Sequence, residues 1–298
     1  MKTFAIIEIG SNNTKTHVYD HSNKHKEIFN SNTTIEFKAN YKKYGKITEN
    51  NIDELIRVIK VATKHADDIH IFGCSIFRNI DSQELGEINS KITKLFNNKI
   101  NVVSQKDEAL LTAYGCYSNI DYPGNICVFI GGGGSTEIII VNNKQIIEKK
   151  FLDFGVVDIT DKFPSLKNDI PEVNFDEVQS YCRKRIGKIN HKCDVLILGG
   201  GDHLYWYNNA QFKLDKNTLY ENDNQPFMIT VKASDEYDNR AYRTSLNAIR
   251  KRSDNPKWFD GSRAMKATTN ALSHIIDAKY IVPTKINMED GLKEKLVQ

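Results

Sequence analysis

The chain contains 298 residues, of which 40% are hydrophobic and 27% are charged, as in an ordinary globular protein. This composition excludes a disordered or collagen-like chain, and the length fits two domains better than one. Lys and Arg total 41 against 38 Asp and Glu, so the net charge of +3 gives no sign of a nucleic-acid-binding protein.

The N-terminal segment has the pattern of a β-hairpin. Residues 4–9 are apolar except for Glu8, and residues 10–13 read Gly-Ser-Asn-Asn. Residues 14–19 then alternate between polar side chains and β-branched or aromatic ones. Two strands joined by a tight turn of small polar residues have this pattern.

Helices and short strands alternate in the residues that follow. Apolar residues recur at helical spacing in 51–67, 81–95 and 106–117, and short apolar runs occupy 69–72 and 100–103. These patterns predict three helices alternating with two strands, as in an α/β layer.

A second hairpin is predicted after the turn sequence Asp-Tyr-Pro-Gly at 121–124. Residues 126–130 and 137–141 are apolar strands, and four glycines with Ser135 and Thr136 separate them, so the opening pattern recurs. We also predict a strand at 194–198 and a helix at 263–278. Residues 208–260 are polar and poorly periodic, and we predict no elements there.

The predicted organisation is an α/β protein with two similar lobes, residues 1–122 and 123–298. The strong turn at 121–124 sets the boundary. We expect the C-terminal helix after Ser262 to pack back toward the first lobe.

The two turns are candidate phosphate-binding loops, because glycine lets backbone N–H groups converge on an anion. Neither turn fits a Walker or dinucleotide-binding fingerprint, and plain hairpin turns remain the alternative. The candidate phosphate ligands are the polar and glycine residues of the two turns: Ser11, Asn12, Asn13, Gly132, Gly133, Gly134, Ser135 and Thr136.

Several segments resemble motifs of the exopolyphosphatase/guanosine-pentaphosphate phosphohydrolase (Ppx/GppA) family, in the family's order over nearly the whole chain. Residues 5–13 (AIIEIGSNN) resemble A-x-D-I-G-S-N-S, and residues 129–137 (FIGGGGSTE) resemble I-D-I-G-G-G-S-T-E. Residues 74–79, 102–109 and 290–294 are similar to the family's T-S-A-L-R-x, V-I-S-G-E-E-E-A and G-G-L-R-E segments.

The resemblance implies two actin-like ATPase (ribonuclease H-like) lobes with a cleft between them. It places Glu108 at the family's catalytic base, which aligns the attacking water, and Arg78 as a phosphate clamp. It also implies a Mg²⁺ cofactor supported by Glu8 and Glu137. Taken alone, Glu108 is an ordinary helix-start acid and Arg78 a surface arginine.

Three residues depart from the family pattern. Glu8 replaces an aspartate of the first motif and moves the carboxylate by about one methylene. Ile130 replaces an aspartate that helps to hold the metal, and a hydrocarbon cannot ligate magnesium. Asp158 stands where the family usually has arginine, which reverses a charge near the expected cleft.

Two further segments carry weaker signals. The loop 199–203 resembles the family's G-T-G-G-T segment only in its glycines, and Asp202 with His203 falls short of a metal site. Basic residues interleaved with aromatics between 237 and 258 would help a polyanion to reach the cleft, although a solvated helix face is the default interpretation. The cations are Arg240, Arg243, Arg250, Lys251, Arg252 and Lys257.

The leading hypothesis is a Mg²⁺-dependent phosphohydrolase that releases terminal phosphate from inorganic polyphosphate or pppGpp. The first alternative is a binding or sensor protein for (p)ppGpp, a nucleotide or polyphosphate that has lost turnover, as Ile130 and Asp158 suggest. A small-molecule kinase of the same superfamily is a weaker alternative, because loop 199–202 is a poor adenosine-binding loop.

The cysteine pattern and the apolar runs bear on the cellular compartment and on the kinds of partner. The five cysteines include no CxxC pair, which predicts free thiols in a reducing cytoplasm. Glu8 interrupts the apolar run that a signal peptide would need, and no stretch approaches the ~18 apolar residues of a membrane span. We therefore expect a cytoplasmic protein without membrane or nucleic-acid partners, and a homodimer remains open.

Overall fold

The computed structural model describes residues 2–22 and 26–297. The chain divides into two compact units, one comprising Met1–Glu108 with Leu292–Gln298 and the other Ala109–Gly291. This division lies earlier than the predicted boundary near residue 122. The reason is that Ala113 and Cys116, on a helix predicted for the first lobe, are buried among strand residues of the second unit.

The described part of the first unit contains one sheet. Its strands are β1 (Thr3–Ile9), β2 (Asn13–Asp20), β3 (Lys26–Thr34), β4 (Asp68–Gly73) and β5 (Ile100–Val102). They are ordered β3-β2-β1-β4-β5, with β1 antiparallel to β2 and parallel to β4. The predicted first hairpin is thereby confirmed. Its turn joins the ends of two interior strands, β1 and β2.

Helices cover the sheet of the first unit: α1 (Phe37–Tyr44), α2 (Glu49–Ala62) and α3 (Ser82–Phe96). The Thr48 hydroxyl accepts the N–H of Asn51 at the start of α2, and the Asp81 carboxylate accepts the N–H of Gln83 at the start of α3. Such caps satisfy donors that a helix leaves unpaired. Leu55 and Ile59 of α2 are buried against the strands, as the spacing predicts.

The second unit begins within α4 (Gln105–Tyr117) and contains a mixed sheet. Its strands are β6 (Ile126–Gly131), β7 (Thr136–Asn142), β8 (Gln145–Leu152), β9 (Val195–Leu198), β10 (Asp215–Lys216), β11 (Phe227–Thr230) and β12 (Tyr280–Pro283). Their order is β10-β11-β12-β9-β6-β7-β8, with β6 parallel to β9 and β9 parallel to β12. The second predicted hairpin is confirmed as β6 and β7.

The remaining helices are α5 (Val156–Lys162), α6 (Phe175–Ile186), α7 (Asp202–Asn209), α8 (Val231–Arg243), α9 (Leu246–Arg250), α10 (Ser262–Ile275) and α11 (Met288–Leu296). Helix α10 lies in the core of the second unit against α6, with Ala264, Ala267 and Ala271 fully buried. The helix after Ser262 is therefore part of the second unit, and its packing toward the first lobe stays a prediction. The C-terminal residues that group with the first unit are those from Leu292 onward, at the end of α11.

The region 208–260, for which the sequence predicted no elements, contains β10, β11, α8 and α9. Helix α8 buries Asp238 and Ser234 together with Val231 and Tyr242. Polar side chains on its inner face remove the apolar stripe that predicts a helix. In the described part of the chain, no helix has both the length and the apolar composition needed to cross a membrane.

Candidate functional site

The first hairpin turn is held in place by the chain that follows β3. The carbonyls of Ser11 and Asn12 accept the backbone N–H groups of Lys38 and Ile35, each at 2.9 Å. The Asn13 side chain accepts the Thr34 hydroxyl at 3.3 Å. Asn12 and Asn13 are exposed and Ser11 is half-buried, so polar groups of the turn are accessible from solvent.

Ser75 joins this turn, although sequence analysis did not select it. Its hydroxyl lies 2.5 Å from the Ser11 hydroxyl, and it opens the short 3₁₀ turn Ser75–Arg78 after β4. Its φ of 51° is uncommon for a residue other than glycine, and such backbone strain clusters at functional sites. The sequence feature that could have pointed to Ser75 is its place in the segment 74–79, which resembles a family motif.

Glu108 lies in the first turn of α4. Ser104 caps this helix, since its hydroxyl accepts the N–H of Asp107 at 3.1 Å and donates to the Asp107 carboxylate at 2.6 Å. The Glu108 carboxylate is 39% exposed and forms an ion pair with the Arg78 guanidinium. The structure thus brings together the predicted base and the predicted phosphate clamp, and the clamp contacts the base.

Glu8, predicted to support a metal, lies opposite Lys15 in the register of β1 and β2. The Lys15 ammonium is 3.3 Å from a Glu8 carboxylate oxygen. Sequence analysis missed this cation, although cross-strand partners in a hairpin point to the same face of the sheet. A lysine beside Glu8 offsets part of the negative charge at the first turn.

The start of α5 forms hydrogen bonds to the second hairpin turn. The carbonyls of Gly132 and Gly133 accept the N–H groups of Val156 and Val157 at 3.1 and 2.7 Å. A Cβ atom on Gly155 would lie 2.6 Å from both of those carbonyl oxygens, so only glycine fits there. Because these carbonyls face α5, the turn is anchored while Gly132, Gly133 and Gly134 remain exposed.

The other second-turn residues differ in accessibility. Ser135 is half-buried, whereas Thr136 is only 1% exposed and Glu137 only 5% exposed. Ile130 lies opposite Glu137 in the register of β6 and β7. The glycines and Ser135 are therefore better placed to meet a phosphate than the Thr136 side chain.

Asp158, the third departure from the family pattern, has a local structural role. Its carboxylate accepts the backbone N–H of Gly155 at 2.9 Å and so caps α5. An acid in the first turn also interacts favourably with the helix dipole. The carboxylate is therefore engaged with the helix that supports the glycine turn.

A second glycine loop adjoins the second hairpin turn within the same unit. The Gly199 N–H donates to the Phe129 carbonyl at 3.0 Å, because β9 and β6 are parallel neighbours. Gly200 and Gly201 adopt φ values of 90° and 86°, which favour glycine. Asp202 accepts the indole N–H of Trp258 at 3.0 Å, so the structure pairs it with a side chain of the protein.

A buried ion pair joins two helices of the second unit. The Lys266 ammonium of α10 is 3.4 Å from the Asp238 carboxylate of α8 and donates to the Tyr207 hydroxyl at 2.9 Å. Burial raises the pKa of Asp238 to about 6 against the opposing effect of Lys266. Burial alone would lower the pKa of Lys266, but Asp238 and Tyr207 hold it above its usual value. Each group therefore favours the charged form of the other, against the effect of burial.

His203 contributes an acid-sensitive term to the stability of the second unit. Burial, and then the charge of Lys266, holds the pKa of His203 well below its usual 6.5. Below pH 6.5 the unfolded chain therefore binds a proton that the folded protein does not, and stability falls as pH falls. Asp238 acts in the opposite sense, because folding raises its pKa.

The variant His203→Phe should remove the pH-dependent contribution of His203 to the free energy of unfolding. Between pH 6.5 and pH 5.5 the wild type should lose about 1 kcal/mol of unfolding free energy relative to the variant. Urea titrations followed by tryptophan fluorescence measure it, since Trp206 and Trp258 both lie in the second unit. The half-exposed His274, changed to Gln, is the control. Parallel pH profiles for wild type and His203→Phe would contradict the assignment.

The basic residues between 240 and 257 are exposed or half-buried, and the structure gives several of them partners. Arg250 pairs with Asp260, Arg240 lies over the Tyr237 ring, and Arg252 donates to Gln211 at 3.3 Å. The fully buried Arg263 had escaped sequence analysis. It donates to the carbonyls of residues 166, 168, 169 and 244, and so fixes two loops of the second unit.

Comparison with known proteins agrees with this architecture. A model of the Ppx/GppA phosphatase family matches residues 17–208. A bifunctional 3-dehydroquinate synthase/phosphatase of Fusobacterium nucleatum is 30% identical over 172 residues, which cover 53% of this chain and 26% of that protein. The chain thus spans about a quarter of the length of that curated relative.

Solved structures show the same fold. A Ppx/GppA family member from Aquifex aeolicus has a TM-score of 0.75 at 17% identity, over 99% of this chain and 98% of that one. An exopolyphosphatase from Cytophaga hutchinsonii has a TM-score of 0.71 at 14% identity, over 99% and 98%. The prediction of two α/β lobes of the actin-like ATPase type is confirmed. With its family model matched over most of its length, the chain belongs to the Ppx/GppA phosphatase family.

Proposed function

We propose that this protein is a phosphohydrolase that releases terminal phosphate from inorganic polyphosphate or pppGpp. The observation that carries the proposal is the Glu108 carboxylate, held at the start of α4 by Arg78. The turn that contains Ser11 belongs to the same compact unit. Membership of a phosphatase family supports the reaction class.

In this mechanism Glu108 orients a water molecule and accepts its proton as the water attacks the terminal phosphorus. A carboxylate at hydrogen-bond distance from the water can act in this way. Phosphoryl transfer otherwise needs positioning and stabilisation of charge on the phosphate oxygens. In the first unit we propose the hydroxyls of Ser11 and Ser75 for such contacts. In the second unit, taken by itself, we propose the Ser135 hydroxyl and the backbone of the Gly132–Gly134 segment.

We further propose a Mg²⁺ cofactor, with Glu8 and Glu137 as its protein ligands. Mg²⁺ usually takes one or two carboxylates and completes its shell with phosphate oxygens and water. Each of the two glutamates offers a carboxylate, Glu8 in the first unit and Glu137 in the second. No cluster of three or more potential ligands occurs in residues 2–22 and 26–297. When bound, the ion would neutralise charge on the phosphate oxygens.

The test is phosphate release by the purified protein with Mg²⁺, from medium-chain polyphosphate and from pppGpp. We expect multiple turnovers with at least one substrate, and loss of activity when EDTA removes the metal. Absence of released phosphate from both substrates, at enzyme concentrations comparable with substrate, would refute the proposal.

The variant Ile130→Asp should increase phosphate release by roughly tenfold, by adding a carboxylate opposite Glu137. The apparent affinity for Mg²⁺, from activity against metal concentration, should rise with it. Ile130→Asn has nearly the same shape as the aspartate without its charge and is the matched control. An equal gain in the asparagine variant would show that metal ligation is not the cause.

A sensor protein that binds (p)ppGpp, a nucleotide or polyphosphate without turnover is the second candidate. The hydrocarbon side chain of Ile130 opposite Glu137 favours it. Calorimetric titration that gives sub-millimolar affinity in the absence of phosphate release would support a sensor. Sustained turnover would exclude it.

A further inference from the structure

Arg78 occupies a fixed position between two parts of the first unit. Its Nε donates to the Val103 carbonyl at 2.8 Å, and one terminal nitrogen pairs with the Glu108 carboxylate. Val103 and Glu108 lie on either side of the first residues of α4. One guanidinium therefore contacts both the chain entering the helix and the acid in its first turn.

The backbone that carries Arg78 is anchored by buried neighbours. It ends the 3₁₀ turn Ser75–Arg78, whose Ile76 and Phe77 are buried at 9% and 2% exposure. On the other side, the Val103 N–H donates to the Gly73 carbonyl at 3.0 Å at the end of β4. The turn that carries Arg78 and the Val103 backbone that it contacts both adjoin β4 of the first sheet.

The geometry of arginine suits this task. Its planar guanidinium directs several N–H groups in fixed directions, so it can hold two acceptors in one arrangement, which the point charge of lysine cannot. Two of those directions are occupied by the Val103 carbonyl and by Glu108. Bidentate capture of a phosphate through Nε and this same terminal nitrogen would compete with these contacts.

We infer that Arg78 is a positioning residue for Glu108, and that it is not the phosphate clamp that the family resemblance implies. This inference rests on the proposed function, because it assigns the orientation of the proposed base. Misplacement of a reacting group by on the order of 1 Å can cost about 100-fold in rate. Arg78 thus acts on the chemical step, with little direct effect on ligand affinity.

The experiment compares wild type, Arg78→Met, Glu108→Gln and the double variant. It measures kcat and KM with polyphosphate, and Kd for tripolyphosphate by calorimetry. Arg78→Met should lower kcat by about 100-fold and change Kd by less than about threefold. In the Glu108→Gln background the same change should lower kcat by less than about threefold, since residues that act as a unit are non-additive.

Two further variants separate positioning from folding. Arg78→Lys keeps the charge but cannot hold both acceptors, so kcat should fall about tenfold with Kd unchanged. Arg57→Met, at an exposed arginine on α2 of the same unit, should match wild type. A rise in Kd of tenfold or more in Arg78→Met, or full additivity with Glu108→Gln, would overturn the positioning role. A wild type that neither binds nor cleaves would instead overturn the proposed function, and this role with it.

Discussion

Glu108→Gln should lower kcat for phosphate release by about 1,000-fold, with KM changed by less than about threefold. Glutamine preserves the size of the side chain and can still accept hydrogen bonds, but it cannot take a proton from the attacking water. The loss should therefore appear in the chemical step. Steady-state kinetics with polyphosphate and with pppGpp measure it.

The control for this variant is Asp107→Asn, one residue earlier in the same helical turn. Asp107 bonds to the capping residue Ser104, so its change tests damage to the start of α4. We expect a modest fall in stability, about 1 kcal/mol, and nearly normal kcat. Activity in Glu108→Gln within tenfold of wild type would show that another group activates the water.

Lys266→Met should destabilise the second unit by about 3–5 kcal/mol, because it leaves the buried Asp238 carboxylate without its partner. The double variant Lys266→Met/Asp238→Leu should recover most of this loss, since removal of both charges also removes both desolvation costs. Urea unfolding followed by tryptophan fluorescence gives the free energies of the wild type and both variants.

Lys192→Met provides the exposed comparison in the same unit. Lys192 lies 2.9 Å from Asp277, but both side chains are more than 60% exposed. Solvent screening limits such a pair to less than about 1 kcal/mol. If Lys266→Met cost no more than this control, the buried pair would contribute nothing specific to stability.

Sequence patterns predicted the two hairpins because each is encoded locally. Apolar or alternating runs on either side of a glycine or asparagine turn need no tertiary information, and β1–β2 and β6–β7 lie within a few residues of their predicted ranges. Glu108 was also placed correctly in the first turn of a helix. Its role, like those of the other candidate site residues, stays a prediction.

The contacts that complete the site are not encoded locally. Arg78 and Glu108 are 30 residues apart, and only the adjacent packing of β4 and β5 brings their segments together. Lys266 and Asp238 are polar positions on two helices, which a sequence pattern would assign to solvent. Their burial depends on the tertiary fold, so sequence periodicity alone could not reveal it.

The carbonyl contacts between the Gly132–Gly134 segment and α5 have a thermodynamic consequence. A loop already fixed before its ligand arrives gives up little conformational entropy on binding. For the phosphate binding proposed at this loop, affinity should therefore depend mainly on electrostatic attraction and on the release of counterions. It should respond strongly to ionic strength and weakly to substitutions that only stiffen the chain.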